Sequence, residues 1–91
     1  MVEAFPDFLC RLLADRNMSV RAAARKIGLD HAYLVRVLKG TLSLPAKHVA
    51  KTADVLGLGG KERDYFVLAA DIMRSPERVR KYIRELELKN N

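Results

Sequence analysis

The sequence predicts an all-α fold, a compact bundle of five to six short helices. Apolar residues recur at the three- and four-residue spacing that places them on one face of a helix. Serine, asparagine, proline and glycine residues separate these segments at regular intervals, as helix caps and turns require. No segment shows the pattern of a credible strand. With 91 residues, of which 49% are hydrophobic, the chain has enough material for one domain with one core.

The first two predicted helices have clear starts and stops. The first covers residues 6–16, with Pro6 in its first turn, where a missing N–H has no cost, and Asn17 after its end. The second covers residues 20–27, between Ser19, which can accept from first-turn amides, and Gly28, which can take a left-handed conformation. The apolar stripe of the first helix consists of Phe5, Phe8, Leu9, Leu12 and Leu13.

Four further helices are predicted. The third covers residues 31–39, with Asp30 as its N-cap and Gly40 as its stop, and a loop over residues 41–45 follows it. The fourth has Pro45 in its first turn and ends at Gly57, the fifth covers residues 61–73 and the sixth residues 76–88. We expect residues 1–74 to form one domain, and residues 75–91 to form a C-terminal helix that either completes the core or mediates dimerisation.

Positive charge is concentrated in one part of the chain. The sequence has 17 Lys and Arg residues against 11 Asp and Glu residues, a net charge of +6, which favours a polyanionic partner. Between residues 16 and 51 the chain carries +7 and the rest carries −1, because Asp30 is the one acid in that window. Its eight basic residues are Arg16, Arg21, Arg25, Lys26, Arg36, Lys39, Lys47 and Lys51.

Residues 19–40 have the features of two short helices joined by a tight turn. The turn is Gly28-Leu29-Asp30, in which the glycine permits a positive φ, and Ala24 is small where the next helix crosses. The residues expected to face inward are all apolar: Ala23, Ile27, Leu29, Leu34 and Val37. The segment resembles the helix-turn-helix of the lambda-repressor-like, or Xre/Cro, family of bacterial and phage regulators. The resemblance extends over residues 8–58, and residues 57–66 are similar to a regulator subfamily with additional C-terminal helices.

This resemblance implies that the third helix lies in the major groove of DNA. By position it assigns base contacts to His31, Ala32, Val35 and Arg36. Arg36 would bind guanine O6 and N7, whereas Ala32 and Val35 can only touch a thymine methyl or allow close approach. The assigned phosphate contacts are Ser19, Arg21, Tyr33, Lys39, Thr41 and Lys47, although packing of Tyr33 on the second helix is an equal alternative. Val20 stands where the family often has glutamine, which leaves the contact pattern open.

The function predicted from these features is a sequence-specific DNA-binding transcriptional regulator. Its expected partners are double-stranded DNA and a second copy of the chain, paired through the fifth and sixth helices. Two alternatives remain, a helix-turn-helix protein-interaction adaptor and a nucleoid-type binder of low specificity. The +7 window favours DNA over the adaptor, whereas Ala32 and Val35, which cannot form side-chain hydrogen bonds, leave room for low specificity.

The sequence gives no indication of an enzyme, a cofactor or a metal site. Residues 57–60 are rich in glycine but follow no strand, and no nucleophile–base pair or second ligand for His31 lies nearby. Cys10, the single cysteine, cannot form an intramolecular disulfide and is expected to be a small apolar residue of the first helix. No segment reaches the roughly 20 apolar residues of a membrane span, and the N-terminal residues do not resemble a signal peptide. We therefore expect a cytoplasmic protein.

Overall fold

A computed structural model describes residues 4–75 and residue 86. The regular structure of these residues is α-helical throughout, which confirms the all-α class. The predicted sixth helix, residues 76–88, lies outside the described residues except for Leu86, which is helical and exposed. The helices are α1 (Phe5–Asp15), α2 (Val20–Ile27), α3 (His31–Leu38), α4 (Ala46–Val55) and α5 (Gly60–Arg74).

Each of these five helices packs against two others, so that the bundle closes on itself. α1 lies against α3 and α5, α2 lies against α3 and α4, and α4 also lies against α5. One core fills the space between them, and it contains the whole apolar stripe predicted for the first helix. Helices that are distant in sequence are thereby held together by burial of apolar surface.

Aromatic rings join α1 to α5. The ring centroid of Phe8 is 5.9 Å from that of Phe66 and 5.2 Å from that of Tyr65, in edge-to-face arrangements. The Phe5 ring also contacts Phe66, in a tilted arrangement with 5.1 Å between centroids. Tilted and edge-to-face pairs at such distances add to the stabilisation that comes from burial alone. Phe66 is therefore the centre of this part of the core.

The predicted ends of α2 are confirmed. The Ser19 hydroxyl oxygen accepts from the backbone N–H of Ala22 at 3.1 Å. Gly28 has a φ of +88°, and the N–H groups of Gly28 and Leu29 both donate to the Ala24 carbonyl at 2.9 Å. These bonds satisfy groups that every helix leaves unpaired at its ends.

Other predicted helix ends were partly wrong. Asp30 occupies the N-cap position of α3, but its side chain accepts no cap hydrogen bond. This carboxylate is exposed, so water can solvate it without a backbone partner. Pro45 precedes α4 as its N-cap instead of lying in its first turn, and α5 extends one residue further at each end than predicted.

Arg16 departs from the expected basic surface, because its guanidinium is bound within the protein. Its Nε donates to the Leu56 carbonyl at 2.7 Å, and its Nη1 donates to the Leu12 carbonyl at 3.1 Å. It thus joins the ends of α1 and α4. Arg63 and Arg74 form similar internal bonds, Arg63 to Asp54 and Arg74 to Asp71 and to the carbonyl of Leu44.

The last two findings concern Cys10 and membrane spans. Cys10 lies on the first helix, as predicted, but its free thiol is exposed and is not part of the core. It follows Leu9, which is buried, and successive residues of a helix point in directions about 100° apart. In the part of the chain that is described, no helix is long and apolar enough to cross a membrane.

Candidate nucleic-acid interface

The packing of α2 against α3 determines which side of α3 faces outward. Both helices have eight residues, and the turn Gly28-Leu29-Asp30 joins them. From α3, Leu34 and Val37 are fully buried, and Leu29 packs against the core from the turn. The inner face of α2 consists of Ala23, Ala24 and Ile27, which are buried as predicted.

The outward side of α3 is formed by four residues, which we call the α3 ridge: Ala32, Val35, Arg36 and Lys39. At 3.6 residues per turn, these positions lie opposite Leu34 and Val37. Ala32, Arg36 and Lys39 are exposed, and Val35 is half-buried. Lys39 follows the last helical residue but keeps a helical backbone conformation, so it continues the ridge. His31 is half-buried and lies at the edge of the ridge.

The two cations of the ridge are not bound to other groups of the described chain. Neither the Arg36 guanidinium nor the Lys39 ammonium forms an ion pair or a hydrogen bond with any of the described residues. Arg16, Arg63 and Arg74 differ in this respect, since each is bound to a carbonyl or a carboxylate. The ridge can therefore bind an anion or an acceptor without first breaking an internal contact.

The hydroxyl groups of Tyr33 and Thr41 are used inside the protein. Tyr33 donates to the Ser43 carbonyl at 2.9 Å, and Thr41 donates to the Arg36 carbonyl at 3.1 Å. Both bonds hold the segment after α3 against that helix. In this arrangement neither proton is available to a phosphate. The sequence predicts that Tyr33 contacts a phosphate or the second helix, and it does not predict the hydrogen bond to Ser43.

Exposed basic residues also lie on α2, which packs against α3, and on α4, which packs against α2. α2 carries Arg21, Arg25 and Lys26, and α4 carries Lys47 and Lys51, all of them exposed. Residues four positions apart, such as Arg21 and Arg25 or Lys47 and Lys51, share one side of a helix. Because α2 packs against both α3 and α4, the three helices are contiguous.

The start of α2 offers further donors. Ser19 is exposed, and its oxygen already accepts from Ala22, so its hydroxyl proton can still be donated. The amides at a helix N-terminus and the helix dipole attract an anion. Val20 is half-buried and packs against the core. Its side chain has no hydrogen-bonding group, so it cannot contact a phosphate as a glutamine at this position could.

The outer side of α5 has a different character. Val67 and Leu68 are 36% and 49% exposed, and they are the exposed large hydrophobic residues of α5. Asp64 and Asp71 are exposed on either side of them. This surface therefore combines an apolar patch with charges of both signs, whereas the exposed charges of α2 and α3 that flank the ridge are mostly basic.

The described residues do not assemble a metal site. No group of three or more His, Cys, Asp or Glu side chains lies close enough among them to hold an ion. A shallow cleft between α1 and α5 is lined by Phe8, Arg11, Lys61, Glu62 and Tyr65. The Arg11 guanidinium lies 5.0 Å from the Phe8 ring centroid, a cation–π contact between two of the residues that line this cleft.

Comparison of the chain with family models, curated proteins and solved structures gives no significant match.

Proposed function

We propose that this protein is a sequence-specific transcriptional regulator that binds double-stranded DNA with α3 in the major groove. The observation that carries the proposal is the α3 ridge, where Arg36 and Lys39 are exposed and bound to no other described residue. A DNA duplex is a polyanion whose groove edges present hydrogen-bond acceptors. Cations without internal partners, on the outward side of a short helix, suit such a ligand.

The dimensions of the ridge agree with this role. From Ala32 to Lys39 the helix rises about 10 Å, at 1.5 Å per residue. Base pairs are spaced about 3.4 Å apart along the axis of the duplex, so the length of the ridge corresponds to about three base pairs. The major groove is about 12 Å wide and admits an α-helix. His31, Ala32, Val35 and Arg36 are the proposed residues at the base edges.

Phosphate contacts are assigned to residues around the ridge. Lys39 and Lys47 supply ammonium groups, Arg21 supplies a guanidinium, and Ser19 lies at the helix N-terminus that favours an anion. The sequence also assigns phosphate contacts to Tyr33 and Thr41, but their hydroxyls donate to carbonyls and hold the segment after α3 against that helix. In the proposal they therefore affect DNA binding only indirectly, by positioning that segment.

A second copy of the chain belongs to the proposal. About three base pairs per helix are too few to define a unique site, and two-fold pairing of half-sites about 34–36 Å apart is the usual solution. Val67 and Leu68 supply exposed apolar surface on α5 for such a contact. In this proposal the dimer acts in the cytoplasm, on bacterial or phage DNA.

The proposal is tested by selection from a pool of random duplexes with the full chain at two salt concentrations, followed by titration of the selected duplex. Affinity should fall with salt at a slope of about −0.9 per neutralised phosphate. Lys39→Ala should reduce that slope by about 1, and Lys61→Ala, which removes an exposed lysine of α5, should leave it unchanged. Absence of affinity for any duplex at low salt would overturn the proposal.

One specific observation favours a second candidate, a nucleoid-type binder of low specificity. Ala32 and Val35 form half of the ridge, and their side chains have no hydrogen-bonding groups. In that case the selected and random duplexes would bind with the same affinity and the same salt slope. A protein-interaction adaptor would instead bind no duplex at either salt concentration.

A further inference from the structure

We infer that the bases contacted by the α3 ridge are thymines, through their 5-methyl groups, and a neighbouring guanine, through O6 and N7. The inference rests on the proposed function and specifies the ligand of the same site. It depends on which chemical groups the ridge has and which it lacks. Two alkyl side chains, Ala32 and Val35, are followed by one guanidinium, Arg36, and one ammonium, Lys39.

The ridge lacks the side chains that recognise adenine and cytosine. Adenine presents an acceptor beside a donor, which asparagine and glutamine match, and cytosine presents a donor, which carboxylates accept. None of the four ridge residues carries an amide, a carboxylate or a hydroxyl. The major-groove groups that match the ridge best are the thymine methyl, which alkyl side chains contact, and the acceptor pair of guanine, which engages both donors of a guanidinium where thymine O4 or adenine N7 engages one.

The free state of Arg36 favours guanine as its partner. Its guanidinium forms no bond to another described residue, so both donors of its fork are available. A planar fork matches the paired O6 and N7 acceptors, whereas an ammonium such as that of Lys39 acts as a point charge and suits a phosphate. Lys39 also follows the last residue of α3, so it lies further than Arg36 from Ala32, at the other end of the ridge.

The order of the groups along α3 sets the order of the bases. Val35 precedes Arg36 by one residue and Ala32 precedes it by four, so about 6 Å of helix separates the first alkyl group from the guanidinium. That length is less than two base-pair steps. The thymine methyls and the guanine should therefore lie at adjacent or next-adjacent base pairs of one half-site.

Two polar residues near the ridge do not change this assignment. Asp30 has an exposed carboxylate, but at about 100° per residue it lies on the side of Leu34, away from the ridge. Phosphates would also repel its negative charge. His31 is half-buried at the edge of the ridge and can donate or accept, so it selects no single base.

The experiment compares four proteins on one selected duplex. Random duplexes are selected in parallel with the unaltered chain, Arg36→Lys, Val35→Ala and the control Val55→Ala, which makes the same truncation at a half-buried position of α4. The duplex chosen by the unaltered chain is then resynthesised with single thymine-to-uracil replacements, which remove the methyl, and with guanine replaced by 7-deazaguanine, which removes N7. Affinities are measured by fluorescence anisotropy, and circular dichroism verifies that each variant is folded.

The expected results are specific to base and side chain. For the unaltered chain and Val55→Ala, uracil should weaken binding about fourfold per contacted methyl, and 7-deazaguanine by about fivefold or more. Arg36→Lys should reduce the 7-deazaguanine effect while its salt slope is unchanged, because the charge remains but an ammonium lacks the planar fork that holds O6 and N7 together. Val35→Ala should lose the uracil effect at one position only.

Several results would overturn the inference while the proposed function stands. One is an Arg36-dependent position occupied by adenine or cytosine, and another is a selected duplex in which uracil changes nothing. Salt-dependent binding without any enriched base would overturn both the inference and the sequence-specific function, and it would support the binder of low specificity. If no duplex binds at all, the proposed function itself fails, so the two failures can be told apart.

Discussion

Gly28 connects α2 to α3 with a backbone conformation that most side chains resist. Its φ is +88°, yet a Cβ atom built there would meet nothing within 4 Å. The requirement for glycine therefore comes from the backbone alone and not from crowding. The sequence predicted this position correctly because a left-handed residue at the end of a helix is a local feature.

Gly28→Ala should lower the free energy of unfolding by about 1–2 kcal/mol, the cost of the left-handed conformation for a residue with a Cβ. Gly28→Asn should cost less, because asparagine tolerates this conformation through local hydrogen bonds. Urea denaturation of the three proteins measures the difference. Equal losses for alanine and asparagine would show that the space around the residue matters and not its φ.

Tyr33→Phe tests whether the Tyr33 hydroxyl stabilises the fold or binds DNA. Removing its bond to Ser43 should lower the free energy of unfolding by about 1 kcal/mol. The salt slope of DNA binding should not change, because in this arrangement the hydroxyl has no phosphate to contact. If the slope falls by about 1 and the stability is unchanged, the Tyr33 hydroxyl contacts a phosphate and does not stabilise the fold.

Arginine bonds between helices are a structural element that sequence patterns did not predict. Arg16 binds a carbonyl 40 residues away in the sequence, at the end of α4. Composition treats this residue as one of eight cations in a basic window, and only the closure of the bundle brings Leu56 within its reach. In contrast, the ends of α2 depend on residues within one turn, and the sequence predicted them to the residue.

Arg16→Lys should lower the free energy of unfolding by about 2 kcal/mol, because a lysine cannot reproduce two hydrogen bonds from a charged guanidinium to separate carbonyls. The salt slope of DNA binding should not change. Arg25→Lys, at an exposed position of α2, is the matched control and should alter stability by less than about 0.5 kcal/mol. Thermal and urea denaturation provide the comparison, and equal stability of Arg16→Lys and the unaltered chain would contradict it.

The same distinction applies to the ridge as an element. The spacing of Leu34 and Val37 predicts which side of α3 is buried, and hence that Ala32 and Arg36 face outward. It does not predict that Arg36 has no internal partner, since Arg63 and Arg74 also lie on amphipathic helices and are both bound. That property depends on which carboxylates and carbonyls the tertiary structure brings near.

Among the described residues, exposed basic side chains are concentrated on α2, α3 and α4, whereas the outer side of α5 is apolar at Val67 and Leu68. Two copies that meet through α5 would leave both ridges accessible. Asp64 and Asp71 flank the apolar residues, and the Asp71 carboxylate is already paired with Arg74. An antiparallel pair of α5 helices would therefore place the Asp64 carboxylate of one copy near the Asp71–Arg74 ion pair of the other.

Leu68→Glu should abolish the dimer, because it places a charge at the most exposed apolar residue of α5. Sedimentation at tens of micromolar protein should give the dimer mass for the unaltered chain and the monomer mass for the variant. Ala14→Glu adds the same charge at an exposed position of α1 and should remain dimeric. A monomer mass for the unaltered chain at these concentrations would refute the pairing.

Closure of the bundle has a consequence for any attempt to reduce the protein to a minimal reagent. α3 packs against α2 and against α1, so part of the support behind its outward side comes from a helix that begins 26 residues earlier in the chain. A synthetic peptide of residues 19–40 would retain every group of the ridge but would lose the α1 surface that covers Leu34 and Val37. Its two helices have eight residues each, too few to remain helical in water without packing partners, so miniaturisation has to keep the N-terminal helix or replace it with a chemical brace.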